Sequence, residues 1–312
     1  MKKILITAGG TATAWHITQI AHDYFNNDIE IEVCDINEPF LIPSIVIASK
    51  VHKVPLASDP NYSDVIGRII DDERIDCIIP LIPEEAYLFA KESEFVKKHN
   101  VETVAPILQT TELLADKRKL FETLCELNIP TPRVFQIEDI LGSEQYLLKP
   151  RLGFGSQGVE VISGEYIRFE KDRIIQEYCK GEEYEEITVE VYNGSAGLHI
   201  FARRRVETKA GVCVKMVPVD NKPFYPYIKK LTEFIACPIA FNVQFLYHQR
   251  KWKLFDCNLR LGAGTALSSA IGFQLTRALL AEIIKNKIDD EWFKADPTIK
   301  SVLRVYQEVA VR

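Results

Sequence analysis

The chain has 312 residues, of which 47% are hydrophobic and 26% are charged, and its formal net charge is −6. This length and composition predict a globular protein with two or more packed layers. The acidic balance and the scattered lysines and arginines exclude the electrostatic footprint of a protein that binds nucleic acid.

The cysteines and the apolar runs indicate neither secretion nor a membrane. The seven cysteines are odd in number, widely spaced and without a CxxC pair, which is typical of reduced thiols. The apolar run in MKKILITAGG is too short for a signal peptide. No other run approaches the roughly 20 apolar residues of a membrane span. We therefore expect a cytoplasmic protein with no membrane partner.

Strand and helix patterns alternate over the first hundred residues. Apolar runs at 3–8, 29–34, 77–80 and 101–105 predict strands. Helices are predicted over 84–99 and from two apolar faces, namely Trp15, Ile17, Ile20, Ala21 and Tyr24, and then Val65, Ile66, Ile69 and Ile70. This alternation indicates a parallel sheet with helices on both faces, ending just after Pro106.

Beyond Pro106 the pattern changes. Residues 111–127 predict one amphipathic helix, which must end before Pro130 because the residue preceding a proline is pushed out of helical geometry. Strands and turns are predicted from there to Asn258. A final helix, which should pack on a sheet, is predicted from an apolar stripe of Leu275, Leu279, Leu280, Ile283 and Ile284.

A glycine-spaced loop follows a strand at 146–159. Glycines in such a loop let backbone N–H groups close on phosphate oxygens, and Lys149 at the strand end could reach the same anion. An ordinary hairpin also favours glycine and serine, so the loop alone leaves both interpretations open.

Two neighbouring strands, 241–247 and 252–260, carry the second motif. Asp256, Asn258 and Arg260 are spaced two apart and therefore share one face of a strand. Their oxygens suit magnesium, and the guanidinium suits a phosphoryl or carboxylate group. Gln244 can join them only if it pairs opposite Asp256, which we expect from an odd-numbered loop at 249–251. The alternative is a solvent-facing edge strand with alternating polar residues.

Two further segments carry less specific patterns. The apolar strand 174–179 ends in an acidic turn, and such a connector can offer backbone groups to an adenine and a carboxylate to a ribose. The run Arg203, Arg204 and Arg205 could grip a substrate carboxylate, or it could be a solvated strand face.

Together and in this order, these segments resemble the ATP-grasp superfamily, most closely the synthetase halves of the carbamoyl-phosphate synthase large subunit, over about residues 1–285. By this resemblance Lys117 and Lys149 contact the ATP phosphates, and Gly155, Ser156 and Gly158 form the loop that covers them. The adenine connector corresponds to Glu177, Tyr178 and Cys179, and the ribose-binding glutamate to Glu183. The residues matching the ligands of two magnesium ions are Gln244, Asp256 and Asn258, and Arg260 matches the arginine beside the transferred phosphate.

The resemblance implies an α/β protein in which a Rossmann-like pre-ATP-grasp domain (1–108) precedes a two-subdomain ATP-grasp fold. The small subdomain would span 109–176, and the large subdomain with the metal site 177–312. It also implies an ATP-dependent ligase that joins a small-molecule carboxylate to an amine through an acylphosphate. The implied cofactors are ATP and Mg²⁺, or Mn²⁺ in its place, with Lys149 and Arg260 as catalytic groups. A homodimer is the commonest assembly for such a protein.

Two departures from the family pattern bear on the reaction. Asp256 replaces the usual metal-bridging glutamate and is one methylene shorter. Ala263 lies near the place of the family's second arginine, which argues against a bicarbonate-type acceptor. The alternatives are a carbamoyl-phosphate-synthase-like enzyme with another acceptor, or a nucleotide-binding module without catalysis.

Overall fold

The structure is a computed structural model, and it describes residues 1–152, 158–168, 170–180, 185–209, 211–305 and 307–311. The predictions for Gly155, Ser156 and Glu183 lie outside the described residues. Within those ranges, no helix combines the length and apolarity needed to cross a membrane.

The N-terminal part is built around a parallel sheet. Its strands are β1 (Lys2–Ile6), β2 (Ile29–Asp35), β3 (Lys50–Lys53), β4 (Cys77–Ile79) and β5 (Glu102–Thr103), in the order β3-β2-β1-β4-β5. The helices are α1 (Ala12–Phe25), α2 (Tyr62–Glu73) and α3 (Glu94–His99). The predicted parallel sheet with intervening helices is therefore confirmed in this region.

Three details of this region differ from the sequence predictions. The strand β3 was missed because KVHK is polar and none of its residues is buried. The expected helix 84–99 is a short 3-10 turn at Pro83–Glu85, with α3 starting only after Ser93, whose hydroxyl accepts from the Val96 N–H at 3.2 Å. On α1, Trp15 and Tyr24 lie outside the buried face, and Tyr24 is 48% exposed because Phe25 packs inward in its place.

The predicted helix 111–127 is two helices, α4 (Leu108–Ala115) and α5 (Lys117–Glu126). Asp116 separates them with an extended backbone. Its carboxylate caps α5 by accepting from the Arg118 N–H at 3.1 Å, and it also accepts from the Arg151 guanidinium at 2.7 and 3.0 Å. The break places Lys117 at the first position of α5.

Two antiparallel sheets follow. The smaller contains β6 (Val134–Phe135), β7 (Gln145–Pro150), β8 (Glu160–Ser163) and β9 (Arg173–Glu177), in the order β6-β9-β7-β8. The larger contains β10 (Glu185–Gly194), β11 (Gly197–Lys209), β12 (Val212–Pro218), β13 (Ala240–His248), β14 (Lys251–Asn258) and β15 (Val302–Leu303), in the order β14-β13-β10-β11-β12-β15. The remaining helices are α6 (Tyr225–Phe234), α7 (Thr265–Ala270) and α8 (Leu275–Ile283).

The two faces of the large sheet have different neighbours. One face shares a core with α5 and α6, through residues such as Val189 and Phe245. The other face packs against α8 at one end, where Tyr192 and Phe201 are buried, which confirms the predicted apolar stripe of α8. The rest of that face is polar and borders a cavity. The proposed subdomain limits after residues 108 and 176 remain predictions.

Candidate active site

A cavity of about 970 Å³ lies where the N-terminal part, the small sheet and the large sheet meet. Nine of the residues predicted to form the site line this single cavity: Lys117, Lys149, Glu177, Tyr178, Cys179, Gln244, Asp256, Asn258 and Arg260. Gly158 is the exception among the described ones, since only its neighbour Val159 lines the cavity. The fold thus brings together residues more than 140 positions apart (117 to 260).

The β13–β14 hairpin sets the register of the predicted metal ligands. Gln244 pairs directly with Asp256, as required for the two side chains to share a face. The predicted odd-numbered loop is wrong, because His248 pairs with Lys251 across a two-residue turn. Phe255 is an extra residue on β14. It forms a β-bulge between the Gln244–Asp256 pair and the Phe245–Leu254 pair.

The bulge has a physical reason in the sequence. Residues two apart on a regular strand share a face, yet Leu254 is 0% exposed in the core behind the sheet while Asp256 lines the cavity in front. Leu254 and Asp256 can face opposite sides because Phe255, the residue between them, is bulged and does not count in the alternation. The bulge therefore serves the packing and the site at once.

A cross-strand row of side chains forms the cavity floor. Asp256 on β14 pairs with Gln244 on β13, which pairs with Thr188 on β10, which pairs with Arg203 on β11. In the next row Asn258 belongs to the same face as Asp256, and its Nδ2 donates to Asp256 Oδ2 at 2.7 Å. A carboxylate and two amide oxygens fit a hard divalent cation such as Mg²⁺.

Two lysines approach the same region from the small sheet and α5. Burial lowers the pKa of Lys149 to about 8, with the Asp256 carboxylate opposing this shift and the Lys117 ammonium adding to it. Burial also lowers the pKa of Lys117, again opposed by Asp256. Two partly desolvated cations beside one carboxylate make a site suited to a polyanion.

The connector after β9 is anchored by Glu177. Its carboxylate accepts from Lys253 Nζ at 2.6 and 2.7 Å and from the Arg133 N–H at 3.0 Å, so the side chain holds the connector in place. Ligand atoms of Glu177, Cys179 and His248 lie within 4.8 Å of one another. A cation there would meet the Lys253 ammonium, which disfavours a metal at this point.

Arg260 follows the candidate metal ligands, two residues past the end of β14. Burial lowers the pKa of its guanidinium, while the carboxylates of Asp256 and Glu84 oppose that shift. Glu84 comes from the N-terminal part and also lines the cavity. Sequence reasoning missed it because nothing in a lone surface glutamate marks it.

A second arginine reaches the neighbourhood of Ala263, where the family resemblance lacked one. Arg304, just after β15, donates from Nη2 to the Ala263 carbonyl at 2.5 Å. It comes from the segment with the weakest family resemblance, so the sequence carried no signal for it. Arg304 thus supplies a guanidinium near Ala263, where the sequence alone indicated none.

Comparisons with known proteins follow the division of the chain seen in the fold. Residues 4–105 match the family described as the PylC-like N-terminal domain, and residues 169–308 match the family described as ATP-grasp in the biosynthetic pathway with Ter operon. The resemblance to ATP-grasp proteins is thus matched by a family model over the C-terminal part of the chain. The carbamoyl phosphate synthase large chain of Clostridium botulinum (strain Kyoto / Type A2) is 24% identical to it over 261 residues, covering 74% of this chain and 24% of that protein. The chain thus spans about a quarter of the length of the curated relatives it matches.

Solved structures of other proteins share the fold of this chain. The biotin carboxylase domain dimer of Hydrogenobacter thermophilus 2-oxoglutarate carboxylase, in complex with MgADP, ADP and bicarbonate, has a TM-score of 0.73 at 14% identity, covering 94% of this chain and 72% of that chain. The L-amino acid ligase of Bacillus licheniformis has a TM-score of 0.69 at 13% identity, covering 95% and 78%. These matches confirm the predicted α/β ATP-grasp fold and show the similarity to carbamoyl phosphate synthase.

Proposed function

We propose that this protein is an ATP-dependent carboxylate–amine ligase that acts through an acylphosphate. The observation that carries the proposal is the convergence of Gln244, Asp256 and Asn258 with two lysines and Arg260 on one cavity. Support for the acid and amine as substrates comes from the fold shared with an L-amino acid ligase. Carbamoyl phosphate synthase relatives and a bicarbonate-bound neighbour support the wider class.

In the proposed reaction the protein binds ATP and holds it in position for phosphoryl transfer. Lys117 and Lys149 hold the phosphate oxygens of ATP, and the Tyr178–Cys179 backbone takes the adenine. Gln244, Asp256 and Asn258 would hold Mg²⁺, or Mn²⁺ in its place, and the bound cation would neutralise charge on the triphosphate. Gly155, Ser156 and Gly158 would cover the phosphates, and Glu183 would bind the ribose.

The group transfer needs no protein nucleophile. A carboxylate oxygen of the acid, oriented by Arg260, attacks the γ-phosphorus, and the bond to ADP breaks to leave an acylphosphate. The amine nitrogen then attacks the acyl carbon, phosphate leaves with the C–O bond electrons, and the nitrogen loses a proton. Preorganised cations around the transferred group supply the electrostatic stabilisation.

Release of ADP across a panel of acids and amines tests this proposal. The panel contains the proteinogenic amino acids, short mono- and dicarboxylic acids, and bicarbonate, each with and without an amine. We expect at least one acid to accelerate ADP formation and, when hydroxylamine replaces the amine, to yield a hydroxamate. Asp256→Ala and Lys149→Ala should each abolish this turnover while the protein stays folded.

The other outcomes separate the alternatives. Stimulation by bicarbonate alone would favour a carbamoyl-phosphate-synthase-like enzyme with another acceptor. Nucleotide binding without turnover on any acid would identify a binding module. A cytoplasmic location and a homodimer accompany the proposal, and a sedimentation measurement checks the dimer.

A further inference from the structure

Two buried polar side chains on the cavity floor have no part in the reaction as described above. Thr188 on β10 and Arg203 on β11 continue the cross-strand row that starts with Asp256 on β14 and Gln244 on β13. Thr188 is 2% exposed and Arg203 is 3% exposed, and both line the cavity.

Each of these side chains has an atom that lacks a hydrogen-bond partner within the part of the chain that the structure describes. These atoms are Thr188 Oγ1 and Arg203 Nη1. Burial of a polar atom without a hydrogen bond is unfavourable, and native proteins rarely tolerate it without a reason. Two such atoms on adjacent strands of one cavity wall indicate a ligand that satisfies them.

The guanidinium of Arg203 is held in a fixed position. Its Nε and Nη2 both donate to Glu190 Oε1 at 3.3 Å, and Glu190 is 1% exposed. On its other side it lies against Gly264, where an added Cβ would come within 1.8 Å of Nη2. Arg203 therefore lies next to the loop that follows β14 and that also carries Arg260.

We propose that Thr188 and Arg203 form the seat for the carboxylate of the acid substrate. The inference rests on the proposed ligase function and names the residues that bind its first substrate. A cationic donor and a hydroxyl suit an oxyanion. A γ-phosphoryl oxygen offers the same chemistry, but in-line transfer requires the acid on the side of the phosphorus opposite to ADP. We assign the acid to the end of the row farthest from Asp256, where Arg203 lies against Gly264.

The first test compares two buried hydroxyls. Thr188→Val removes the hydroxyl at the proposed seat, and Thr276→Val removes one that is equally buried and unpartnered among the described residues but does not line the cavity. Inorganic phosphate is the probe, titrated calorimetrically into protein that already holds Mg²⁺ and a non-hydrolysable β,γ-imido analogue of ATP. The analogue fills the γ-phosphate position, so the phosphate reports on the seat beyond it.

We expect Thr188→Val to weaken phosphate binding by about tenfold, the loss of one hydrogen bond to a charged group. Thr276→Val should bind phosphate like the wild type, and both variants should keep their affinity for the analogue within about twofold. The proposal is overturned if Thr188→Val binds phosphate normally or loses the analogue in parallel. Phosphate that binds only when ADP replaces the analogue would instead assign the seat to the transferred phosphoryl group.

The second test removes the buried ion pair as a unit. Arg203→Gln combined with Glu190→Gln leaves no buried charge behind, whereas Arg203→Gln alone would strand a carboxylate. Arg204→Gln is the matched control, because Arg204 is exposed on the opposite face of the same strand. The double variant should lose more than about tenfold in phosphate affinity and the control none. If the double variant does not fold, phosphate binding by Thr188→Val alone tests the proposal.

Failure of this inference and failure of the ligase proposal are distinguishable. Phosphate binding to the analogue complex requires no turnover, so a seat that depends on Thr188 would stand even if no acid released ADP. Conversely, an acid whose KM is unchanged in Thr188→Val would leave the ligase assignment intact and place its carboxylate elsewhere.

Discussion

Replacing Lys149 by methionine should make the folded protein more stable and lower its affinity for ATP. Burial lowers the pKa of Lys149 from 10.5 to about 8, a difference of about 2.5 pH units. At roughly 1.4 kcal/mol per unit, the protonated side chain destabilises the folded state by up to about 3.5 kcal/mol. Methionine keeps the length and removes the charge, so we expect the free energy of unfolding at pH 7 to rise by about 2 kcal/mol. Nucleotide affinity should fall by about 100-fold, the loss of a charge-assisted phosphate contact.

Urea unfolding and calorimetric titration of MgATP measure the two effects. The destabilisation by Lys149 applies below its folded-state pKa and fades as the pH rises from about 8 towards 10.5. The stability difference between Lys149→Met and the wild type should therefore shrink over that interval. Lys251→Met, on an exposed strand position, is the control and should change neither quantity. A variant less stable than the wild type at pH 7, or one that binds MgATP normally, would refute the reasoning.

Three further predictions concern the same site and its hairpin. Because ATP binding favours the protonated form of Lys149, nucleotide affinity should fall above about pH 8 and binding at pH 8.5 should take up a proton, which calorimetry in buffers of different ionisation enthalpy detects. Asp256→Asn should raise the Mg²⁺ concentration needed for nucleotide binding at least tenfold without changing the melting temperature by more than a few degrees; an unchanged Mg²⁺ dependence would contradict the metal assignment. Gln249 and Arg250 both have positive φ values, 51° and 61°, so Gln249→Asn with Arg250→Gly should stabilise the fold by about 1 kcal/mol in urea unfolding, with unchanged nucleotide affinity.

Sequence periodicity predicted which candidate ligands on β13 and β14 share the cavity face. Spacing of two placed Asp256 and Asn258 on one face, and the requirement that Gln244 oppose Asp256 followed from strand pairing alone. The predicted α/β architecture also followed from local patterns, since each buried run and helical face in the first hundred residues is short and self-contained.

Long-range contacts account for what periodicity missed. The helix break at Asp116 depends on Arg151, which lies 35 positions away and binds the carboxylate that caps α5. The approach of Arg304 to Ala263 spans 41 positions and needs β15 to pair with β12. Arg203 could not be told from its neighbour Arg204 without knowing which face of β11 borders the cavity, because that face is set by pairing with Thr188.

The bulge at Phe255 makes this position unusually tolerant of a change in chain length. Without Phe255, Leu254 would still pair with Phe245. Asp256 would then follow Leu254 directly and would still pair with Gln244, without a bulge. A shortened chain of this kind should keep Gln244, Asp256 and Asn258 on the cavity face. Deleting a residue on either side of the bulge would instead reverse the alternation of the side chains that follow. Core residues would then face the cavity, and cavity residues would face the core.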